Sequence, residues 1–273
     1  MDLSTLTHIA IKAALAAGEV IQQHMNEEVA VETKQGGASY ASQVVTAVDR
    51  ACETVMLSHL LPTCEEFGIA LLSEETEDDG SRFEQDFFWC IDPMDGTLAF
   101  INKQPGFSVS IALVAKDGTP LIGVVLDPST DTMYHAINGQ GAYENGRPWQ
   151  IKHTNGHLTY VTDRKLKDSS RATEIERLLA EQVEKLGLNA IQEIVGGGAV
   201  LNAIRVLEHG PACMIKLPKK EIGGGCIWDF AATACIFHEL GLPATNASGG
   251  RLDLNRKDSP FMNHEGVLYA NVG

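Results

Sequence analysis

Two short apolar runs each deliver the chain directly into acid: Ile69-Ala70-Leu71-Leu72 leads into Ser73-Glu74-Glu75, and Phe87-Phe88-Trp89-Cys90-Ile91 leads into Asp92-Pro93-Met94-Asp95-Gly96-Thr97. Runs of this length read as buried strands. The hexapeptide then has a mechanical order. Pro93 restricts the backbone after Asp92, Gly96 takes conformations closed to other residues, and the chain can start a helix whose free N–H groups face outward. Such a helix end attracts phosphate, and two carboxylates beside it suit a hard cation such as Mg²⁺, which binds through a few carboxylates plus phosphate oxygens. Asp-Pro and Asp-Gly are also ordinary turn formers, so on the hexapeptide alone a plain loop competes evenly with this reading.

The surrounding pattern places these runs in a mixed α/β chain. Helices are expected over Leu3 to Asn26, with Ile9, Ala13, Ala16, Ala17 and Val20 at helical spacing, and over Thr46 to Leu61. Gly36-Gly37-Ala38-Ser39-Tyr40-Ala41-Ser42 reads as the loop joining them. Further strands are expected over Phe107 to Val114, Leu121 to Leu126 and Thr132 to Ala136, separated by turns at Asp117-Gly118, Asp127-Pro128 and Asn138-Gly139. That half reads as an antiparallel sheet flanked by helices. After Asn145-Gly146-Arg147-Pro148, helix and strand alternate: helix Thr173 to Leu186, a turn at Gly196-Gly197-Gly198, helix Ala199 to Glu208, strand Ala212 to Leu217, and Gly223-Gly224-Gly225 before a helical stretch from Phe230 to Leu240. A length of 273 residues fits one large domain or two closely packed lobes, here residues 1–150 and 151–273, with the active site between them.

Composition narrows the partners. The formal charge of −15 repels nucleic acid and anionic membrane surfaces. No apolar stretch approaches bilayer length, and the N-terminus lacks the basic flank and apolar core of a secretory signal. The six cysteines are scattered without a CxxC pair, which suits buried free thiols in a reducing cytoplasm and argues against thiolate-bound zinc. His135, His153, His157, His209 and His238 lack metal-binding spacing, and Ser169-Ser170 lacks the context of an activated nucleophile.

Three further segments tip the balance from loop to metal site, since each puts an acid at the edge of an apolar element: Thr46-Ala47-Val48-Asp49, Ser73-Glu74-Glu75 and Trp228-Asp229. Bland readings compete with each. Glu75 and the acids after it read as solvated surface, Asp49 is also an ordinary acid for a helix N-terminus, and Asp229 suits the N-cap of the helix after it. Convergence of Asp49, Glu74, Asp92, Asp95 and Asp229 would leave five carboxylates that cannot all stay ionised without cations or proton uptake.

With Val45-Thr46-Ala47-Val48-Asp49, Leu72-Ser73-Glu74-Glu75, Asp92-Pro93-Met94-Asp95-Gly96-Thr97 and Ile227-Trp228-Asp229-Phe230-Ala231-Ala232 in this order, the chain resembles the inositol monophosphatase superfamily of lithium-sensitive phosphatases along most of its length. The resemblance implies a layered αβαβα sandwich, two or three Mg²⁺ ions per active site, a homodimer, and hydrolysis of a small-molecule phosphate ester. It also implies that Glu74, Asp92 and the Met94 carbonyl ligate one metal, and that Asp92, Asp95 and Asp229 ligate a second. Thr97, with Asp49 behind it, would orient and help deprotonate the attacking water, while the Gly96 and Thr97 amides receive phosphate. Gly198, Ala199, Glu221 and Asp229 fall where the family contacts substrate.

Departures from the family pattern cluster in those last positions. Gly197-Gly198-Ala199 stands where relatives commonly carry a Ser or Thr, Glu221 sits one residue farther from Trp228-Asp229 than in inositol monophosphatases, and Leu98-Ala99 replaces the Lys-Glu that commonly follows the DGT of bisphosphate nucleotidases. Lys216, Lys219 and Lys220 are candidates to attract a second phosphate, or are simply solvated. The expected substrate is a 3′(2′),5′-bisphosphate nucleotide or an inositol monophosphate. Fructose 1,6-bisphosphate, histidinol phosphate and a regulatory protein-binding role stay open.

Overall fold

The computed structural model describes residues 1–27, 31–33, 44–151 and 156–272, so the expected loop from Gly36 to Ser42 lies outside the described residues. In chain order the elements are α1 (Leu3–His24), β1 (Val31–Thr33), β2 (Val44–Thr46), α2 (Ala47–Phe67), β3 (Ile69–Ser73), β4 (Phe87–Asp95), α3 (Thr97–Ile101), β5 (Ser108–Ala115), β6 (Pro120–Asp127), β7 (Thr132–Ile137), β8 (Gly141–Glu144) and β9 (Arg147–Pro148). They continue with β10 (Leu158–Thr162), α4 (Ala172–Leu186), β11 (Ile191–Val195), α5 (Ala199–Glu208), β12 (Ala212–Lys216), α6 (Ile227–Glu239), β13 (Ala244–Thr245) and β14 (Val267–Asn271). Every helix and strand expected from the pattern is present, most within a few residues of its expected ends.

A seven-stranded sheet runs β3-β4-β5-β6-β7-β8-β9, and a five-stranded sheet runs β11-β10-β12-β14-β13. The first is antiparallel except for one pair, because β3 and β4 run parallel. That corrects the wholly antiparallel expectation, and it has a consequence. Both acid-bearing strands finish at the same edge of the sheet, so the Glu74 amide donates to the Ile91 carbonyl beside Asp92, at 3.2 Å.

Strand alternation sorts the core into separate layers. Trp89, Ile91, Ile111, Leu113, Val124 and Leu126 pack against Ala10, Ala13, Ala17, Met56 and Leu60 of α1 and α2. Their neighbours Phe88, Cys90, Ala112, Val114 and Val125 face the other way, onto Val200, Ile204, Phe230 and Cys235 of α5 and α6. Those two helices are covered on their far side by Val161, Ala212 and Met214 of the second sheet. The outer face of that sheet, with Leu158, Tyr160 and Cys213, takes Ile175 and Leu179 of α4. The order is helix, sheet, helix, sheet, helix. Close contact between α6 and the first sheet requires Gly123, where a Cβ would lie 2.2 Å from the Ala232 carbonyl oxygen. All six cysteines are free thiols, and among the described residues no helix is long and apolar enough to cross a membrane.

Candidate active site

In a regular strand, residues three apart face opposite sides. Asp92 and Asp95 nevertheless reach one another, because the pairing of β4 with β5 slips between Asp92 (opposite Ser110) and Asp95 (opposite Ser108). Pro93 sits in this irregular stretch, where a ladder donor is not needed. The Met94 amide donates to Asp92 Oδ1 at 3.0 Å, and the Met94 side chain is buried in the core layer shared with α1 and α2, which anchors the turn. Gly96 then adopts φ 83°, and a Cβ there would lie 2.4 Å from the Gly106 carbonyl oxygen. The strand can thus turn into α3, a helix of 5 residues.

Asp49 and Asp229 arrive by the same local device. Each is the third residue of its helix, with its carboxylate reaching back to the N-cap amide: Asp49 Oδ2 accepts from Thr46 N at 2.8 Å, and Asp229 Oδ2 from Cys226 N at 2.5 Å. The N-cap of α6 is therefore Cys226, and Asp229 completes a capping box rather than serving as the cap itself. This arrangement spends one carboxylate oxygen on the helix and leaves the other for the site. Asp49 Oδ1 takes up Thr97 Oγ1 at 2.9 Å, and the same hydroxyl lies 3.1 Å from the Met94 carbonyl oxygen. The start of α6 is fastened to the first sheet where Ser110 Oγ donates to the Trp228 carbonyl at 3.1 Å, one strand away from Asp92.

The result is a cluster in which ligand atoms of Asp92, Asp95 and Asp229 lie within 4.8 Å of one another. Burial and mutual repulsion make these acids hard to ionise. Burial, then the charges of Glu74, Asp95 and Asp229, hold the Asp92 carboxyl well above the usual range. Burial and Asp229 do the same to Asp95, against hydrogen bonds from the Val200 and Ala199 amides. Asp229 is pushed up to about 6, by burial and then Glu74. Burial also raises Asp49, opposed by its bonds from Thr46 and Thr97. Asp92 Oδ2 is buried without a hydrogen-bond donor among the described residues, although buried carboxylate oxygens are normally satisfied. A divalent cation fits this donor set: oxygen ligands only, converging, with one oxygen left over.

Asp95 does something the sequence did not signal. Its two oxygens accept from Ala199 N (3.1 Å) and Val200 N (2.8 Å), so it caps α5 from across the interface between the sheets' layers. The Gly198 amide meanwhile donates to the Gly106 carbonyl at 2.7 Å. A side chain at 198 would put Cβ 2.1 Å from Asp95 Oδ2, and one at Gly106 would put it 2.6 Å from the Gly197 Cα. The missing Ser or Thr at this turn is thus tied to a closer approach of Asp95. Arg205 buttresses the turn, donating from Nη1 to the Gly196 carbonyl at 2.5 Å and to Asn202 Oδ1 at 2.8 Å. The dipeptide Pro105-Gly106 was the available hint of a tight approach here.

The remaining expected residues separate. Glu74 stands at the end of β3, and its charge bears on Asp49, Asp92, Asp95 and Asp229. Lys216 ends β12 with its ammonium 3.5 Å from Asp163 Oδ2, and its charge partly offsets the rise at Asp229. Glu221 is exposed in the segment between β12 and α6.

Comparison with known proteins fits this arrangement to a family. The model of the inositol monophosphatase family matches residues 2–271. Inositol monophosphatase 1 of Solanum lycopersicum is 30% identical over 269 residues, covering 93% of this chain and 88% of its own. In fold, the chain matches an IMPase/NADP phosphatase complexed with NADP and Ca²⁺ (TM-score 0.74, 20% identity, 99% of this chain and 92% of that one). It also matches SaIMPase-II bound to inositol monophosphate (TM-score 0.69, 23% identity, 97% and 89%). The sequence match spans nearly every described residue: the chain belongs to the inositol monophosphatase family of phosphatases.

Proposed function

We propose that this phosphatase is a Mg²⁺-dependent phosphomonoesterase that hydrolyses a small phosphorylated metabolite by attack of water on phosphorus. The observation that carries the reading is the convergence of Asp92, Asp95 and Asp229 around a buried carboxylate oxygen that has no donor among the described residues. In this reading Glu74, Asp92 and the Met94 carbonyl would hold one ion, and Asp92, Asp95 and Asp229 would hold a second. When bound, Mg²⁺ neutralises the acids, polarises the phosphoryl oxygens and lowers the pKa of water.

The chain's own groups do the rest. Thr97 Oγ1, 2.9 Å from Asp49 Oδ1, passes its proton to Asp49 as it accepts one from the attacking water. Burial lifts the Asp49 carboxyl and so makes it a better proton acceptor than an exposed aspartate. The Gly96 and Thr97 amides, at the turn out of β4, receive the phosphate, and the Gly198-Ala199 turn bounds the space beside it. Water oxygen bonds to phosphorus, the bond to the ester oxygen breaks, and that oxygen takes up a proton from solvent.

For the substrate we favour a 3′(2′),5′-bisphosphate nucleotide, then an inositol monophosphate. The structural relatives bound to NADP and to inositol monophosphate support a pocket of this kind. Turnover of adenosine 3′,5′-bisphosphate, inositol 1-phosphate, fructose 1,6-bisphosphate and histidinol phosphate should be compared with Mg²⁺ and after chelation. At least one should turn over, and only with the metal. Negligible turnover of all four would sink the reading.

A further inference from the structure

A second polar site lies beside the loop that leads to Asp229. A cleft of about 460 Å³ is lined by Pro218, Lys219, Lys220, Arg256, Asn263 and His264, three formal cations and no carboxylate. That composition runs against a chain of net charge −15. Among the described residues, no carboxylate comes within ion-pair distance of the exposed Lys219 or Lys220, while Arg256 pairs with Asp258 Oδ2 at 3.4 Å, a side chain 80% exposed.

The walls are held in place before any ligand arrives. Lys219 N donates to the Asn263 carbonyl at 2.8 Å, and Asn263 Nδ2 returns a bond to the Lys219 carbonyl at 3.1 Å. Arg171 Nη1 donates to the Pro218 carbonyl at 2.7 Å. The Arg256 side chain is 18% exposed, and its Nη1 donates to the Phe261 carbonyl at 3.1 Å and to His264 Nδ1 at 2.8 Å. Because a guanidinium only donates, His264 Nδ1 is the acceptor, and the imidazole N–H is left on Nε2 as a further donor.

We propose that this cleft binds a phosphate group of a small molecule, at a site separate from the carboxylate cluster. Two exposed ammonium groups beside the half-buried Arg256 guanidinium and the His264 N–H, around an open cleft, match the terminal oxygens of a phosphate better than a single carboxylate. The volume falls in the range of metabolite sites and is far too small for a nucleic-acid surface. The cleft also abuts the catalytic loop: Met262 N donates to the Gly225 carbonyl at 3.0 Å, and a Cβ on Gly225 would lie 2.9 Å from Asp229 Oδ2. Lys216, by contrast, is drawn to Asp163, so the three lysines do not form one patch. The ligand is either the second phosphate of the substrate, which would deepen the phosphatase reading above, or a free phosphate compound.

Full-length protein stripped of metal with a chelator, titrated calorimetrically with inorganic pyrophosphate, tests the site without any turnover. Wild type and Asp92→Asn should bind alike, Lys219→Arg/Lys220→Arg should keep binding, and Lys219→Gln/Lys220→Gln should bind about tenfold more weakly or worse. Equal pyrophosphate binding by wild type and the glutamine variant, or none by wild type, overturns the proposal. The source is read from KM in the presence of Mg²⁺. A selective rise of about tenfold for adenosine 3′,5′-bisphosphate over adenosine 2′-monophosphate in the glutamine variant identifies the substrate's own second phosphate. Unchanged KM values with pyrophosphate binding lost identify a free phosphate compound.

Discussion

The carboxylate corner and the loops that face it are built on opposite principles. Asp92, Asp95, Asp49 and Thr97 are all buried, on β4, α2 and the first turn of α3, and each is held by at least one hydrogen bond from a neighbouring element or turn. The segments opposite, Gly196–Gly197 and Gly223–Gly225, are runs of left-handed glycine, and the second lies next to exposed Lys219, Lys220 and Glu221. Rigid, buried acids are costly to keep and are tolerated where a cation compensates them. Exposed loops change cheaply. On the proposed function, the reaction would be written into the core and the choice of substrate into the loops that face it.

The largest expected effect breaks the first half of that contrast. Asp92→Asn should lower kcat by about 10³-fold, while the metal-free variant melts higher than the metal-free parent, because a neutral amide replaces the most crowded acid. Steady-state rates and thermal melts after chelation check both, and a metal-free variant that melts lower would show that the cluster is not under charge strain. Thr97→Val should cost about 10²-fold in kcat with little change in KM. A loss confined to KM would make Thr97 a binding group rather than part of a proton path.

Much of this corner was legible in the sequence, since strands ending on acids and a helix opening on Thr-x-x-Asp have local signatures that survive folding. Asp49, Glu74, Asp92 and Asp229 each sit at the end of an element that periodicity alone had located. What was not legible depends on contacts between distant segments. The parallel pairing of β3 with β4, the capping of α5 by Asp95, and the Gly106–Gly198 contact join residues whose local sequence has no reason to name its partner. The cleft at Lys219 and Arg256 is of the same kind: its lysines were visible, but the half-buried guanidinium and imidazole come from a segment about 40 residues later.

Gly198→Ala probes the junction between the two regions. Its Cβ would fall 2.1 Å from Asp95 Oδ2, so Asp95 must withdraw from the Ala199 and Val200 amides. A loss of about 1–3 kcal/mol in stability is expected, in line with other overpacking changes, together with weaker metal binding. Chemical denaturation and metal titration measure the two, and an unchanged metal affinity would detach the α5 cap from the site.

A smaller effect follows from Asp229, whose carboxyl moves from an ordinary 3.8 to about 6 in the folded chain without metal. Between those values the folded state holds the proton more tightly than the unfolded state, so this group's contribution to metal-free stability falls as pH rises through the window. The gap in melting temperature between metal-loaded and chelated protein should therefore widen from about pH 4 to pH 6, and Asp229→Asn should flatten that slope. A gap that narrows with rising pH would reverse the sign and remove the charge argument.

The smallest effect tests the exposed side of the contrast. Glu221 is exposed, so any bond it makes to substrate competes with water and is worth little: Glu221→Gln should raise KM by about twofold to fivefold at constant kcat. Initial rates over a range of substrate concentrations resolve a change of that size. A fall of a hundredfold in kcat/KM would mean that Glu221 is desolvated in the enzyme–substrate complex, by closure of the Gly223–Gly225 segment over the site. Such a closure would bring Lys219 and Lys220 with it, because they share the segment between β12 and α6. In that case the surface loop would be part of the catalytic apparatus, and the division between a chemical core and a selective rim would hold only for the free enzyme.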